Sequence, residues 1–221
     1  MLERILLSWS GGKDSAMSMW EIQKRGKYEI GALITTVTED YDRISMHGVR
    51  RELLERQSEA CGVPLEKVYI PKNSSNGIYE ERMRKVLESH HQTGVETVVF
   101  GDIFLEDIKQ YREKNLALLG MKGLFPIWRR NSAELARAFI EAGFKAVIVC
   151  VDPKHLDPSF VGELLDADLL QRLPPQVDPC GENGEFHTFV FAGPIFREEI
   201  KWTPGEVVER EGFWYCDLLP V

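Results

Sequence analysis

The fold of this chain depends on the stretch Ile5-Leu6-Leu7-Ser8-Trp9-Ser10-Gly11-Gly12-Lys13-Asp14-Ser15. Residues 5–9 form a short run rich in branched and aromatic side chains and followed by glycines, which predicts a buried strand. Beyond the glycines, apolar residues recur at helical spacing as far as Gly26, which predicts a helix. The stretch therefore predicts a strand, a glycine turn and a helix in immediate succession.

Residues 10–15, called the glycine loop below, are suited to bind phosphate groups. Two adjacent glycines let the backbone approach a ligand, and the free N–H groups of a helix's first turn attract an anion. Lys13 adds a positive charge, Ser10 and Ser15 add hydroxyl donors, and Asp14 is a candidate ligand for the magnesium ion that accompanies a nucleotide. The alternative is a plain tight turn with Ser15 as a helix cap. The spacings of the Walker loop and of the dinucleotide fingerprint are absent.

Composition and charge restrict the class of protein. The chain has 221 residues, enough for one large domain or two small ones, and its 43% hydrophobic and 28% charged content is typical of soluble globular proteins. A net charge of −8 argues against a surface built for nucleic-acid backbone. We expect a cytoplasmic protein, because no run has membrane-spanning length and no signal peptide is evident. Its four cysteines lie far apart, which predicts reduced thiols.

The next part of the chain alternates between strands and helices. Strands are predicted for residues 29–37, 67–70 and 97–100, and helices for residues 49–61, 78–92 and 104–119. Such alternation predicts an α/β fold with a parallel sheet and helices on both of its faces.

Three segments of this fold are expected to meet, because open parallel sheets bind ligands beyond the carboxyl ends of their strands. They are the glycine loop, Met46-His47-Gly48 and Gly101-Asp102. His47 is a candidate contact for a nucleotide or for a second substrate, and an exposed or capping histidine is the alternative. Asp102 is a candidate contact for metal or substrate, with a helix cap as an equal rival.

Gly120 and Gly123 interrupt the pattern and mark a predicted boundary between domains 1–122 and 123–221. After an apolar connector at 124–128, helices are predicted at 132–141 and 162–173, and strands at 146–151, 186–196 and 207–219. This part predicts a smaller, mixed α+β region.

A second cluster of reactive residues reads Asp178-Pro179-Cys180-Gly181-Glu182-Asn183-Gly184-Glu185-Phe186-His187-Thr188. Its glycines permit tight turns whose N–H groups can grip an oxygen-rich substrate. Glu182 or Glu185 can accept a proton from an amine nucleophile or hold its ammonium form. Cys180 is a candidate nucleophile, although a structural thiol is the more common role in a tight turn. A glycine-rich turn with surface acids is the alternative for the whole stretch.

With these motifs in hand, the chain resembles the diphthine-ammonia ligase family, a branch of the PP-loop (N-type) ATP pyrophosphatases, over nearly its whole length. The glycine loop matches the family's SGGKDS, and Met46-His47 its segment after the second strand. Gly101-Asp102 matches its small-residue strand end, and Pro126-Ile127-Trp128 its Pro-Leu/Ile-Trp. The most specific match joins Pro179-Cys180-Gly181-Glu182-Asn183-Gly184-Glu185 and Thr188-Phe189-Val190 to the family's PCGEGGEYETFV.

The resemblance implies a HUP-type (adenine nucleotide alpha hydrolase-like) ATP-binding domain followed by a family-specific substrate-binding domain. It implies that a carboxylate attacks the α-phosphorus of ATP, that pyrophosphate leaves into the glycine loop, and that ammonia displaces AMP to form an amide. The implied catalytic residues are Lys13, Asp14 and Asp102, with Asp14 as a Mg²⁺ ligand and His47 and Gly101 beside the nucleotide. The implied acceptor contacts are Cys180, Gly181, Glu182, Asn183, Gly184, Glu185 and Thr188.

One departure from the family leaves the acceptor open. Where diphthine-modifying members carry Ser-x-Tyr-Gln after the fourth strand, this chain has residues 104–112, Phe-Leu-Glu-Asp-Ile-Lys-Gln-Tyr-Arg. The acceptor is therefore either diphthine on an elongation factor or a small carboxylate metabolite. The rival functions are a PP-loop enzyme acting on tRNA, a reductase of sulfated nucleotides and a non-catalytic ATP sensor. A homodimer through the charged face of helix 104–119 is left open.

Overall fold

A computed structural model describes residues 2–221. The first part of the chain alternates strands and helices, as the sequence predicted. Its strands are β1 (Glu3–Ser8), β2 (Tyr28–Thr38), β3 (Arg43–Ile44), β4 (Leu65–Ile70), β5 (Thr97–Val99) and β6 (Lys122–Leu124). Its helices are α1 (Lys13–Arg25), α2 (Arg51–Cys61), α3 (Asn76–Gln92) and α4 (Glu106–Ala117).

β1 is the central strand of a parallel sheet in the order β4-β2-β1-β5-β6. Ile5 and Leu7 belong to one apolar core and Leu6 to a second, and all three side chains have 0% exposure. Alternate residues of a strand point to opposite faces, so β1 is covered on both sides, as expected for a parallel sheet with helices on both faces. The predicted α/β class with a HUP-type parallel sheet is confirmed.

The second part of the chain forms a separate antiparallel sheet in the order β8-β7-β10-β9. Its elements are α5 (Ser132–Glu141), β7 (Lys145–Val151), α6 (Ala167–Arg172), β8 (Phe186–Ala192), β9 (Trp202–Arg210) and β10 (Phe213–Pro220). Asn131 caps α5 by accepting a hydrogen bond from the Glu134 N–H at 3.0 Å. The smaller α+β region is therefore also confirmed.

The two sheets share one apolar core. Leu7 of β1 and Leu53 of α2 belong to the same buried cluster as Phe139 of α5, Val147 of β7 and Phe189 of β8. The division into domains 1–122 and 123–221 stays a prediction, and β6 spans the proposed boundary as the edge strand of the parallel sheet.

The sequence missed or misjudged four elements. β3 and β6 have two and three residues, too few to show any periodicity. The helix predicted at 162–173 is shorter, because α6 begins only after Asp166, whose side chain accepts from the Leu169 N–H at 2.8 Å. The single strand predicted at 207–219 is a hairpin of β9 and β10, which turns at Glu211 and Gly212, both at positive φ.

None of the helices formed by residues 2–221 is long and apolar enough to cross a membrane.

Gln57 of α2 is a buried polar residue that joins the two sheets. It has 0% exposure and stands on the same face of α2 as Leu53 and Leu54. The Trp9 indole N–H donates to Gln57 Oε1 at 2.9 Å, and Gln57 Nε2 donates to the carbonyls of Gly11 (3.0 Å) and Val190 (2.6 Å). One amide therefore satisfies groups from the end of β1, the glycine loop and β8.

We predict that Gln57→Leu lowers the free energy of unfolding by about 3 kcal/mol, because it leaves the Trp9 N–H and the Val190 carbonyl without this partner in a dry interior. Urea unfolding followed by tryptophan fluorescence measures the change. The matched control is Gln23→Leu on exposed α1 surface, for which we expect a change within about 0.5 kcal/mol. Equal stability of the two variants would contradict the role assigned to Gln57.

Asp217 of β10 forms a second link between the sheets. Its carboxylate accepts from Arg43 Nη1 at 2.8 Å and from Arg50 Nε and Nη2 at 3.0 and 2.7 Å. Burial alone would raise the pKa of Asp217, but the hydrogen bonds from Arg50 and Arg43 outweigh it and hold this pKa well below its usual range.

Because the folded-state pKa of Asp217 is depressed, its stabilising effect is complete above the unfolded pKa of about 3.9 and is lost as pH falls through the folded value. We therefore predict that Asp217→Asn destabilises the protein by about 2 kcal/mol at pH 7 and that the deficit shrinks below about pH 4. Thermal unfolding between pH 3 and 8 tests this, with Glu206→Gln on exposed β9 as the control. A deficit independent of pH would refute the ion-pair explanation.

Candidate functional site

A cavity of about 240 Å³ opens where β1 and β5 of the parallel sheet end. It is bounded by the glycine loop, the segment after β3, the segment after β5, the loop before β8 and the first residues of β8. The lining residues are Ser8, Ser10, Gly12, Lys13, Asp14, Ser15, His47, Gly101, Asp102, Arg112, Gly181, Glu182, Gly184, Phe186, His187 and Thr188. The three segments that were expected to meet therefore do so.

The glycine loop presents the N-terminus of α1 to this cavity. Gly12 is the N-cap and, as a glycine, has no side chain of its own to cap the helix. Ser10 Oγ accepts from the Gly12 N–H at 3.2 Å, and Ser15 Oγ donates to the Gly12 carbonyl at 2.9 Å, so both hydroxyls lie beside the turn. Gly11 has φ +78°, which favours glycine, and a Cβ there would lie 2.7 Å from Gln57 Oε1. The arrangement suits an anion with several oxygens.

Lys13 and Asp14 form an ion pair at the mouth of the loop. Lys13 Nζ donates to Asp14 Oδ1 at 2.8 Å and to Oδ2 at 2.7 Å. The Lys13 side chain is only 4% exposed, whereas that of Asp14 is 30% exposed. Burial alone would lower the pKa of Lys13, but Asp14 and nearby acids outweigh it and raise this pKa, so the ammonium stays charged.

β8 holds the glycine loop from the other sheet. The Lys13 N–H donates to Thr188 Oγ1 at 3.0 Å, and the Val190 N–H donates to the Gly11 carbonyl at 2.9 Å. Thr188 was expected to contact an acceptor, and in this structure its hydroxyl oxygen is hydrogen-bonded to the first residue of α1. Both sheets therefore build the cavity.

The segment after β5 packs tightly against the glycine loop. A Cβ at Gly101 would lie 2.9 Å from the Asp14 carbonyl carbon, so only glycine fits there. Asp102 forms an ion pair with Arg112 of α4, in which Arg112 Nη2 donates to Asp102 Oδ1 at 3.1 Å and Nε lies 2.7 Å from Oδ2. Asp102 thus faces an arginine that no sequence motif marked as a site residue.

Two histidines lie side by side at the cavity wall. The rings of His47 and His187 have centroids 4.6 Å apart. Burial lowers the pKa of His187 to about 4 and that of His47 well below its usual range, with Lys13 adding to both effects. Both imidazoles are therefore neutral at pH 7 and can donate or accept hydrogen bonds to a ligand.

The loop of residues 178–185, called the acidic loop below, is organised by two of its own carboxylates. Asp178 Oδ1 accepts from the N–H groups of Cys180 and Glu182 at 2.9 and 3.2 Å. Glu185, which is 3% exposed, accepts from the Asp178 N–H and from the backbone N–H and side-chain amide of Asn183, each at 3.0 Å. Glu185 is thus committed to the shape of the loop and does not line the cavity.

Glu182 is the carboxylate that the acidic loop presents to the cavity. Its Oε1 accepts from the N–H groups of Ile103 and Phe104 at 2.7 and 3.3 Å, which ties the loop to the segment after β5. Burial, reinforced by the charge of Asp14, raises the pKa of Glu182 to about 7 in spite of these hydrogen bonds. Glu182 can therefore gain and lose a proton near neutral pH, as a general base requires.

Cys180 lies behind the cavity. It is 2% exposed, and its Sγ donates to the Ser132 carbonyl at 3.3 Å. Burial raises the pKa of this thiol to about 12, so the thiolate that a nucleophile needs is not formed at neutral pH. The geometry favours the structural thiol among the two roles left open by the sequence.

Most residues that the sequence singled out do line the cavity, but Gly11, Cys180, Asn183 and Glu185 do not. Ser8 and Arg112 line the cavity without having been singled out, and Phe186 and His187 line it although they stood in the second cluster without an assigned role. Gln57, which supports the glycine loop from α2, was also missed. Gln57 could have been identified from the sequence, because it is a polar residue on the apolar face of α2. Arg112 could not, because its position depends on how α4 packs beside β5.

The residues present fit a magnesium ion bound together with phosphates. No group of three or more His, Cys, Asp and Glu side chains within residues 2–221 is arranged to hold a metal by itself. Mg²⁺ commonly takes one or two carboxylates, waters and substrate phosphates. Asp14, partly exposed beside the glycine loop, supplies such a carboxylate.

Three known proteins illustrate what this chain is similar to. The diphthine-ammonia ligase of Schizosaccharomyces pombe is 27% identical over 232 residues, which cover 95% of this chain and 38% of that protein. The human diphthine-ammonia ligase is 27% identical over 230 residues, covering 93% of this chain and 85% of that protein. A crystal structure described as a predicted subunit of tRNA methyltransferase from Methanocaldococcus jannaschii is 16% identical with a TM-score of 0.44, covering 90% of this chain and all of that one.

Two family models match the chain in succession. The diphthamide synthase N-terminal domain matches residues 3–123 and the diphthamide synthase C-terminal domain matches residues 131–218. The chain belongs to the diphthamide synthase family.

Proposed function

We propose that the protein is an ATP-dependent ligase that forms an amide from a carboxylate and ammonia and releases AMP and pyrophosphate. The observation that carries this proposal is the presence, in one cavity, of the glycine loop, whose geometry suits phosphate, and of Glu182, a carboxylate whose pKa is raised to about 7. Family membership and the relatives named diphthine-ammonia ligases support it. The expected partners are ATP, Mg²⁺, ammonia and a carboxylate acceptor in the cytoplasm.

The glycine loop serves the pyrophosphate end of the reaction. The N-terminus of α1, the hydroxyls of Ser10 and Ser15 and the Lys13 ammonium offer donors and positive charge to the leaving group. Mg²⁺, held by Asp14 and the phosphates, supplies further charge neutralisation when bound. His47 and Gly101 lie beside the same cavity and are the expected neighbours of the nucleotide. In the unliganded protein, Asp14 neutralises Lys13 and keeps this buried cation paired.

Glu182 serves the ammonia end of the reaction. Ammonia attacks the activated carboxyl carbon, the bond to AMP breaks, and one N–H proton of the adduct must leave. Glu182 accepts that proton when it is ionised, and its hydrogen bonds from Ile103 and Phe104 hold it towards the cavity. Gly181, Gly184 and Asp102 then remain as neighbours of the acceptor. Cys180, Asn183 and Glu185 shape the acidic loop, and Thr188 holds the glycine loop.

The reaction type is tested by the products that the purified protein forms from ATP, Mg²⁺ and ammonium with added cell extracts. We expect AMP and pyrophosphate in equal amounts. Formation only with a small-molecule extract indicates a metabolite acceptor, and formation only with a protein extract indicates diphthine. ADP and phosphate as products would refute the ligase, and bound ATP without turnover would favour the sensor.

Lys13→Ala is predicted to reduce AMP formation by about a hundredfold or more, because the leaving pyrophosphate loses its buried cation. Lys24→Ala is the matched control on the same helix, since Lys24 is 53% exposed and stacks on Trp20 away from the cavity. Steady-state assays of both variants measure the difference. Similar losses in both would show that the effect belongs to α1 as a whole.

For Glu182 the prediction concerns pH. The ionised form is the base, so activity should rise as pH climbs through about 7, and Glu182→Gln should lose this rise and about a hundredfold in kcat. Both enzymes also respond to the growing fraction of free ammonia, so the pH profiles are compared at a fixed concentration of the free base. A Glu182→Gln profile parallel to that of the wild type would exclude Glu182 as the base.

A further inference from the structure

A groove between α3 and α4 borders the candidate active site. It has a volume of about 340 Å³. Apolar and aromatic side chains line it, namely Tyr79, Met83, Leu87, Phe100, Leu116 and Leu119. Arg112 lines both this groove and the cavity that holds the glycine loop. A molecule in the groove can therefore reach the border of the reaction site at the Arg112 guanidinium.

Arg112 is held on two sides and retains donors for a third partner. Its Nε/Nη2 edge faces Asp102, with contacts of 2.7 and 3.1 Å, and its Cζ lies 4.5 Å from the centroid of the Phe100 ring. Within residues 2–221, Arg112 Nη1 donates no hydrogen bond. A guanidinium fixed in this way presents a planar pair of N–H donors, which matches a carboxylate.

Charge along the groove favours one orientation of a ligand. Glu80 and Glu81 lie along the same groove as Arg112, and the Tyr111 hydroxyl donates to Glu80 at 2.9 Å, which links α4 to α3. A carboxylate is attracted to Arg112 and repelled by the two glutamates, while Arg84, the second arginine of the groove, is already paired with Glu88. The apolar lining between these groups suits a neutral or cationic body.

We propose that this groove binds a small-molecule acceptor, with its carboxylate paired to Arg112 and its apolar body between α3 and α4. This inference rests on the proposed ligase function and names its substrate class, a small organic acid. Arg112 also ends residues 104–112, the segment in which the chain departs from the pattern of diphthine-modifying members. Asp102 then acts as a positioning residue that orients Arg112.

The test uses p-benzoylbenzoate, a photoreactive aromatic acid, and its neutral amide p-benzoylbenzamide as the matched control. Irradiation of the wild-type protein with each probe, followed by peptide mapping, locates the labelled residues. We expect the acid to label α3 and α4, with Met83 as a preferred site, about tenfold more strongly than the amide does. Equal labelling by the acid and the amide, or labelling by the acid at residues outside α3 and α4, would overturn the proposal.

Variants of the two arginines in this groove distinguish a specific contact with Arg112 from a general effect of positive charge. Arg112→Gln should reduce labelling by the acid to the level of the amide, whereas Arg84→Gln, on the α3 side of the groove, should retain it. Unchanged labelling in Arg112→Gln, or an equal loss in Arg84→Gln, would refute the assignment. The comparison of acid with amide on the wild type does not depend on how either variant folds.

Labelling requires neither ATP nor turnover, so its failure is distinguishable from failure of the ligase function. If the protein forms AMP and pyrophosphate but shows no preference for the acid probe, the ligase function stands and the assignment of the groove as the acceptor site is wrong. If the probe labels the protein as expected but the protein forms ADP, the groove remains a binding site for an organic acid and the ligase function is wrong.

Discussion

The hydrogen bond from the Lys13 N–H to Thr188 Oγ1 joins the glycine loop to the second sheet, and the rest of the site depends on this junction. Around it, the Val190 N–H donates to the Gly11 carbonyl, and Gln57 bonds both Gly11 and Val190. A loop built to present free N–H groups to an anion has few contacts of its own and needs external support. Here that support comes from β8, so the second sheet holds the candidate phosphate-binding loop in place.

The same junction brings chemistry from two distant parts of the chain into one cavity. β8 follows directly after the acidic loop, so fixing β8 on the glycine loop also fixes Glu182 beside the segment after β5. Within the acidic loop, Asp178 and Glu185 satisfy backbone N–H groups and leave Glu182 as the carboxylate that faces the cavity. Two of its three carboxylates therefore shape the loop, and burial tunes the third to titrate near neutral pH.

Each cationic side chain of the cavity lies beside a carboxylate that balances its charge. Lys13 is paired with Asp14 and Arg112 with Asp102, while His47 and His187 are kept neutral by burial. Such pairing avoids the cost of an isolated buried charge in the unliganded protein. It also leaves each cation beside the place where an anionic group of a substrate would enter, since phosphate oxygens and a carboxylate are the ligands these side chains prefer.

The sequence by itself determined the parallel α/β core and the candidate phosphate site, because a strand, two glycines and a helix N-terminus are local features whose geometry follows from a few neighbouring residues. It also marked the acidic loop, but it left Glu182 and Glu185 equivalent, and only the tertiary structure distinguished them by burying one in the loop and turning the other to the cavity. β3 escaped prediction because two residues are too few to show any periodicity, and the alternation of residues 207–219 did not reveal the turn at Glu211 and Gly212 that separates β9 from β10. Arg112 reached the site through the packing of α4, which depends on contacts between residues far apart in the chain and leaves no local pattern in the sequence.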